Sequence, residues 1–140
     1  MQPRRHGIKE DKGISRKHGK FLYGELTDKI IELAIKIHKK LGAGFIEKVY
    51  EKALMIELKK TNMRFEKQMP RRVEYDGILM GDQRVDFIIE NKVIVELKAV
   101  TELGTIHKAQ MISYLKTANK KVGLLLNFAR PQLEIKRVMN

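Results

Sequence analysis

The sequence contains no cysteine, and this absence excludes several kinds of site. Without thiols the 140-residue chain has no disulfide, no thiolate zinc site and no cysteine nucleophile. No apolar run is long enough to span a bilayer, and no hydrophobic segment follows the positively charged N-terminus as in a secretory signal. We therefore expect a single domain with one sizeable core, located in the cytoplasm and not bound to a membrane.

Acidic residues are scarce relative to basic ones. The chain has 17 Asp and Glu against 29 Lys and Arg, which gives a formal net charge of +12. Such an excess favours a polyanionic partner, and nucleic acid is the first candidate. DNA is favoured, RNA is not excluded, and the sequence leaves homo-oligomerisation open. The alternative is a basic protein that binds no polyanion.

Large apolar side chains are almost absent from the first 20 residues, where three glycines would interrupt a helix. We predict a flexible basic arm over residues 1–22 and a folded domain over residues 23–140. The basic side chains of the arm either contact phosphate groups without sequence preference or only make the chain more soluble. They are Arg4, Arg5, Lys9, Lys12, Arg16, Lys17 and Lys20.

The apolar periodicity of the remaining chain predicts helices at both ends of a group of strands. Helices are expected over Thr27–Leu41, with Thr27 as the N-cap, over Phe45–Lys60 and over Thr105–Asn119. The expected extended segments and turns are Phe65–Pro70, Arg72–Tyr75, a turn at Asp76–Gly77, Ile78–Met80, a turn at Gly81–Asp82, the hairpin Arg84–Val100, Val122–Phe128 and Leu133–Val138.

The hairpin Arg84–Val100 places charges inside two apolar strands. Glu96 and Lys98 are two residues apart and therefore share a face of the sheet. If the turn has three residues, Asp86 lies opposite Glu96, whereas a two-residue turn would place Asp86 on the other face. Two carboxylates and an ammonium on a buried face are costly unless they have partners. The partners are either ion pairs on a half-exposed sheet or a hard divalent cation bound by the carboxylates.

Polar side chains on two of the helices also require explanation. Glu47 falls inside the apolar arc of the second helix, so its carboxylate lies either at the rim of the core or in a polar site. On the third helix, His107, Gln110 and Tyr114 share a face because residues three and four apart are neighbours. No Ser–His–Asp set, glycine-rich phosphate loop or Cys/His zinc spacing suggests a different kind of site.

Asp86 and Glu96-Leu97-Lys98 resemble the signature of the PD-(D/E)XK nuclease superfamily, with Arg84-Val85 in place of its variable proline. The order of helix, antiparallel strands, helix and strand is similar as well. Within that superfamily, Gly44–Tyr50 resembles the motif of the GxxExxY family. Further segments resemble that family too: Lys67-Gln68, His107–Gln110 followed by Tyr114, Gly123–Phe128 and Lys136-Arg137.

The resemblance implies an α/β (α+β) fold, with a restriction-endonuclease-like core in which α-helices flank a mixed central β-sheet. It also implies a nuclease that depends on Mg²⁺, with Mn²⁺ as a substitute, and that hydrolyses phosphodiester bonds. The implied metal ligands are Asp86, Glu96 and the backbone carbonyl of Leu97, with Glu47 acting through a water or a second metal. Lys98 would orient or activate the attacking water, and Gln110 and Tyr114 would hold the metal ligands or a phosphate oxygen.

Two other functions are compatible with the same sequence. The first is a catalytically idle module that kept the fold and binds nucleic acid or a protein. The second is a subunit or antitoxin-like regulator that works with another protein. The presence of every expected catalytic residue type favours the enzyme.

Overall fold

The computed structural model of the protein describes residues Lys9–Glu10 and 22–140, with the side chains at 9–10, 68–71 and 82–83 outside the description. Most of the expected basic arm therefore lies outside the described residues. Lys9 and Glu10 form a two-residue strand, β1. The division into a flexible arm and a folded domain stays a prediction.

Three helices and five further strands follow β1 in the described part of the chain. The helices are α1 (Gly24–Leu41), α2 (Glu47–Lys60) and α3 (Thr105–Ala118). The strands are β2 (Phe65–Tyr75), β3 (Ile78–Ile89), β4 (Val93–Lys98), β5 (Val122–Asn127) and β6 (Glu134–Met139). Within the described residues, no helix combines the length and the apolar character needed to cross a membrane.

The strands form one mixed sheet in the order β1-β6-β5-β4-β3-β2. β4 and β5 are parallel, and α3 supplies the crossover connection that parallel neighbours require. The pairs β2–β3, β3–β4 and β5–β6 are antiparallel, whereas β1 runs parallel to β6. The expected mixed sheet flanked by helices is confirmed.

The two faces of the sheet are covered by different helices. The larger cluster of buried side chains joins α1 and α2 to one face, where it includes Ile30, Tyr50, Leu54, Phe87 and Leu124. The smaller cluster joins α3 to the other face and includes Ile88, Ile94, Met111, Leu115 and Leu125. The sheet is thus buried on both sides, which explains why its central strands are nearly continuous apolar runs.

The first helix begins earlier than expected, and its predicted N-cap is wrong. Thr27 lies inside α1, where its hydroxyl donates to the carbonyl oxygen of Gly24 at 3.1 Å. The residue before the helix is Tyr23, in the left-handed region with φ of 57°. The second helix begins at Glu47, two residues later than expected, with Ile46 at the N-cap position.

The region between α2 and β4 was predicted as short extended pieces, but it forms one long hairpin. β2 continues through Pro70, and β3 continues through Gly81, so the expected turn at Gly81–Asp82 is wrong. The turn at Asp76–Gly77 is present, with φ of 52° and 76° at its two residues. Pro70 is tolerated because β2 is an edge strand, where one side of the backbone needs no partner.

Candidate active site

The turn between β3 and β4 determines which side chains meet across these strands. It consists of Glu90, Asn91 and Lys92, and Ile89 pairs with Val93. Glu90 and Asn91 have φ of 53° and 55°, in the left-handed region where Asn is enriched. The turn therefore has three residues, as one of the two expected registers requires.

Asp86 and Glu96 lie opposite each other, and each carboxylate accepts a hydrogen bond from the neighbouring strand. The N–H of Asp86 donates to Oε2 of Glu96 at 2.8 Å, and the N–H of Leu97 donates to Oδ2 of Asp86 at 2.9 Å. The assigned backbone pairing of β3 with β4 reaches only to Phe87 and Val95. Beyond the last paired residues, the two backbone N–H groups donate to carboxylate oxygens and not to carbonyl oxygens of the neighbouring strand. These two bonds hold the carboxylates side by side.

Burial and repulsion raise the pKa of both carboxyl groups. The pKa of Glu96, which is only 4% exposed, is raised to about 8 by burial first and by the Asp86 charge second. Burial, followed by the charges of Glu51 and Glu47, raises the pKa of Asp86 to about 6. The backbone N–H bonds and the Lys98 charge act in the opposite direction but do not prevail. At neutral pH the pair of carboxyl groups therefore retains a proton unless a cation binds between them.

Lys98, Gln110 and Tyr114 border the same carboxylates. Nζ of Lys98 donates to Oε1 of Gln110 at 3.4 Å. Tyr114 follows Gln110 by about one helical turn, and burial together with the charges of Glu96 and Asp86 raises the pKa of its phenol to about 12. The phenol therefore keeps its proton at neutral pH and remains a hydrogen-bond donor.

His107 does not join this group as its spacing suggested. Its Nδ1 accepts a hydrogen bond from the N–H of Gly104 at 2.9 Å, so the ring folds back onto the start of α3. The side chain satisfies one of the unpaired N–H groups at this helix end. His107 therefore caps the N-terminus of α3.

Glu47 extends from the first turn of α2 to the end of β4. Its Oε2 accepts a hydrogen bond from the N–H of Ala99 at 3.2 Å. Its charge raises the pKa of both Asp86 and Glu96. This placement accounts for a carboxylate in the apolar arc of the helix.

The tyrosine that ends the Gly44–Tyr50 motif fixes the loop before Glu47. The buried hydroxyl of Tyr50 donates to the carbonyl oxygen of Gly42 at 2.6 Å and accepts from the N–H of Phe45 at 3.2 Å. Its ring stacks on Phe128 with centroids 4.4 Å apart. The phenol thus ties the loop to the core and fixes the start of α2.

A partly buried ion pair beside Asp86 was also missed. Glu51 lies one turn after Glu47, and its Oε1 accepts from Nζ of Lys67 on β2 at 3.1 Å. Lys67 lies 5.9 Å from the ring centroid of Phe87. The spacing of Glu47 and Glu51 by four residues was a usable signal, since such residues share a helix face.

A buried polar network holds the loop between β4 and α3. The amide of Asn127, which is fully buried, accepts from the N–H of Val100 at 3.1 Å and donates to its carbonyl oxygen at 2.9 Å. Asn127 also donates to Oε1 of Glu134 at 3.0 Å, and the same oxygen accepts from the N–H of Leu103 at 3.0 Å. No role was assigned to either polar side chain from the sequence, although both interrupt apolar runs.

The possible metal ligands form a small set. Among the described residues, no group of three or more His, Asp or Glu side chains is close enough to hold a metal ion. The acidic core of the site is therefore the pair Asp86 and Glu96. A cavity of about 570 Å³ lies elsewhere, between α1 and the β3–β4 turn, where Leu26, Met63 and Glu90 are among the lining residues.

Comparison with known proteins identifies the family. The family model described as the PD-(D/E)XK nuclease superfamily matches residues 24–138. The crystal structure of SSO0001 is similar with a TM-score of 0.54 and 20% sequence identity, over 85% of this chain and 60% of that one. This chain thus spans about 60% of the length of that protein, and the likeness supports the fold alone. A comparison with curated proteins gives no match. The chain belongs to the PD-(D/E)XK nuclease superfamily.

Proposed function

We propose that the protein is a metal-dependent nuclease that hydrolyses phosphodiester bonds in nucleic acid, with DNA favoured as the substrate. The superfamily supports the reaction class. The observation that carries the proposal is the pair of backbone hydrogen bonds that holds the carboxylates of Asp86 and Glu96 side by side near Lys98. The formal net charge of +12 suits a polyanionic substrate.

The donor set fits a hard divalent cation such as Mg²⁺ or Mn²⁺. Two adjacent carboxylates with raised pKa values repel each other, and a cation between them would remove that repulsion. Mg²⁺ is commonly held by one or two carboxylates and keeps several waters. Asp86 and Glu96 are therefore sufficient as side-chain ligands, with the carbonyl of Leu97 as the proposed backbone ligand. When bound, the ion would polarise the scissile phosphate and lower the pKa of a water.

The remaining side chains stabilise charge and maintain geometry. The Lys98 ammonium orients the attacking water and stabilises negative charge that develops on the phosphate. Gln110 holds that ammonium through its Oε1. Tyr114 offers a hydrogen bond to a metal ligand or a phosphate oxygen from a phenol that stays protonated. Glu47 positions the end of β4 through Ala99 and adds negative charge near the metal ligands.

Membership of the GxxExxY family within the superfamily is part of this proposal, and the geometry gives its motif a physical basis. Gly44 has φ of 112°, a conformation that a residue with a side chain rarely adopts. Glu47 reaches the end of β4, and Tyr50 ties the preceding loop to the core. All three motif positions thus act on the placement of one carboxylate.

The test is single-turnover cleavage of labelled single-stranded and duplex DNA and RNA, with Mg²⁺, Mn²⁺ or EDTA. The wild type should cleave only with a divalent cation. Lys98→Ala should slow the chemical step on the order of 10²-fold or more, as expected for a positioned acid–base group. Asp86→Asn should abolish cleavage and weaken metal binding. Lys116→Ala, at an exposed lysine in the last turn of α3, serves as the matched control.

Binding titrations on the same variants separate an enzyme from an idle module. Affinity for nucleic acid should change little in Lys98→Ala, because one charge contributes little to non-specific binding. Equal and metal-independent behaviour of the wild type, Lys98→Ala and Asp86→Asn would instead support a binding module on this fold.

A further inference from the structure

Three large apolar side chains remain in solvent beside the candidate site. Ile46 is 71% exposed, Ile106 is 72% exposed and Phe45 is 46% exposed. Single exposed apolar residues are ordinary on a protein surface. These three differ because the elements that carry them also supply residues of the site. We call Phe45, Ile46 and Ile106 the apolar rim.

The two parts of the rim flank the end of β4. Ile46 directly precedes Glu47, whose carboxylate accepts from the N–H of Ala99 just beyond that strand. Ile106 lies four residues before Gln110, on the same face of α3, and Gln110 accepts from Lys98 at the end of the strand. Helices α2 and α3 cover opposite faces of the sheet. The rim therefore borders the site from both faces.

The exposed positions are held by ordered backbone. The hydroxyl of Tyr50 bonds to Gly42 and to Phe45, which fixes the loop that ends at Ile46. On the other side, the Gly104–His107 hydrogen bond closes the first turn of α3 around Ile106. The side chains are thus presented to solvent by fixed backbone, as a preorganised binding surface requires.

Positive charges lie in the same helix turns as the rim residues. Lys48 and Lys108 are exposed and lie in the first turns of α2 and α3. A nucleic-acid strand combines anionic phosphates with flat apolar bases, so apolar and basic side chains around one site match its chemistry. In a duplex the base faces are stacked on each other, whereas an unpaired strand exposes them.

We infer that the apolar rim binds unpaired nucleobases on both sides of the phosphate that lies at Asp86 and Glu96. The inference rests on the proposed nuclease function and deepens it: the substrate presented to the site is a single strand or an unpaired end. A duplex without an unpaired segment leaves the rim without a partner.

The experiment measures binding of matched oligonucleotides by fluorescence anisotropy in EDTA, so that no metal-dependent cleavage occurs. The ligands are a single-stranded DNA, the corresponding RNA, the blunt duplex, and an abasic strand of equal length and charge. The protein is the full chain as wild type, as the double variant Ile46→Ser with Ile106→Ser, and as Ile56→Ser. Ile56 is an exposed isoleucine of the same helix α2 and lies about 13 Å along the helix axis from Glu47.

The wild type should bind the base-bearing single strands more tightly than the abasic strand and the blunt duplex. The double variant should lose roughly tenfold in affinity for the base-bearing strands, because two isoleucine side chains no longer bury apolar area against the bases. Its affinity for the abasic strand should not change, and Ile56→Ser should match the wild type on every ligand. Circular dichroism of all variants checks that the fold is retained.

Three outcomes would overturn the inference. They are equal losses on base-bearing and abasic strands, no loss on either, and a change of molecular mass in the double variant by light scattering. The last would assign the rim to contact with a second copy of the chain. Cleavage is scored separately with Mg²⁺: base-dependent binding without cleavage would contradict the nuclease proposal alone, and cleavage without base dependence would contradict only the rim.

Discussion

Asp86 and Glu96 lie side by side because a backbone N–H on each of their two strands donates to the carboxylate on the other strand. The N–H of Asp86 bonds to Glu96, and the carboxylate of Asp86 bonds to the residue after Glu96, at 2.8 and 2.9 Å. Both carboxylates are thereby oriented by the backbone before any ligand binds. The arrangement is preorganised, at the cost of placing two negative groups together in a largely buried position.

That cost leads to a prediction about stability and pH. Because the pKa values of both carboxyl groups are raised in the folded protein, the folded state holds protons that the unfolded state has already released. Below about pH 4 the two carboxyl groups are protonated in both states and do not destabilise the fold. As the pH rises toward about 8, they lose their protons in the folded protein and the free energy of unfolding falls. Asp86→Asn should raise the free energy of unfolding of the metal-free protein by about 1–3 kcal/mol at pH 8 and by much less at pH 4.

Urea unfolding in EDTA at the two pH values measures this difference. Glu32→Gln, at an exposed carboxylate of α1, is the control and should show no such pH dependence. Added Mg²⁺ should stabilise the wild type and not Asp86→Asn, since a ligand stabilises only the state that binds it. An equal loss of stability in Asp86→Asn at both pH values would argue against the electrostatic account.

A second prediction concerns the hydroxyl of Tyr50. Tyr50→Phe keeps the ring that stacks on Phe128 but removes the hydrogen bonds to Gly42 and Phe45. The free energy of unfolding should fall by about 1–3 kcal/mol, because two backbone groups lose their partner. Cleavage should slow as well, because the loop no longer fixes the start of α2 and the position of Glu47.

A double-mutant cycle with Glu47→Gln tests whether the two effects are linked. If Tyr50 acts through Glu47, Tyr50→Phe should slow cleavage much less in the Glu47→Gln background than in the wild type. Tyr75→Phe, at an exposed tyrosine of the β2–β3 hairpin, should behave as the wild type. Additive effects in the cycle would make the hydroxyl important for folding alone.

The part of the site that depends on strand and helix periodicity could be predicted from the sequence. Glu96 and Lys98 share a face by strand alternation, and the helical arc singles out Glu47. Periodicity carries this information because it reports which way a side chain points. The sequence left the turn length open, and the structure has the three-residue turn that brings Asp86 opposite Glu96.

Other features depend on contacts that local patterns do not encode. A strand was expected to end at Pro70 and a turn was expected at Gly81, yet β2 continues beyond Pro70 on the edge of the sheet and Gly81 lies opposite Val73 beside a bulge. The polar role of Asn127 arises from bonds to a loop that is distant in sequence, and that of Tyr50 from bonds to the irregular loop before its own helix. Such bonds become visible only when the chain is folded.

A third prediction follows from the network around Asn127. Asn127→Ala leaves partly buried backbone groups of Val100 without this partner and should cost about 2–4 kcal/mol of stability. The amides of Val100 and Leu103 should exchange with solvent faster, because the loop before α3 loses its attachment. Hydrogen exchange followed by NMR measures this directly. Gln132→Ala, at an exposed residue between β5 and β6, is the control, and unchanged exchange at Val100 in Asn127→Ala would exclude the proposed anchoring role.

The last prediction concerns the basic excess of residues 1–20. The segment carries seven Lys or Arg and two acidic residues, and 7 − 2 gives a net charge of +5 out of the formal +12 of the whole chain. If these side chains neutralise phosphates, replacing all seven by Gln should weaken nucleic-acid binding at low salt by roughly tenfold or more and should flatten the dependence of log affinity on log salt. Cleavage at saturating protein should persist, because Asp86, Glu96 and Lys98 are intact.

Substitution is preferable to deletion of Met1–Lys20, because deletion would also remove β1 from the edge of the sheet. A matched variant changes exposed Lys39, Lys40 and Lys59 to Gln, which removes charge near the ends of α1 and α2. Its salt dependence should change less per charge removed than that of the arm variant. Identical slopes for the arm variant and the wild type, measured by anisotropy from low to high salt, would mean that the arm makes no phosphate contact and that the binding charge lies within the folded domain.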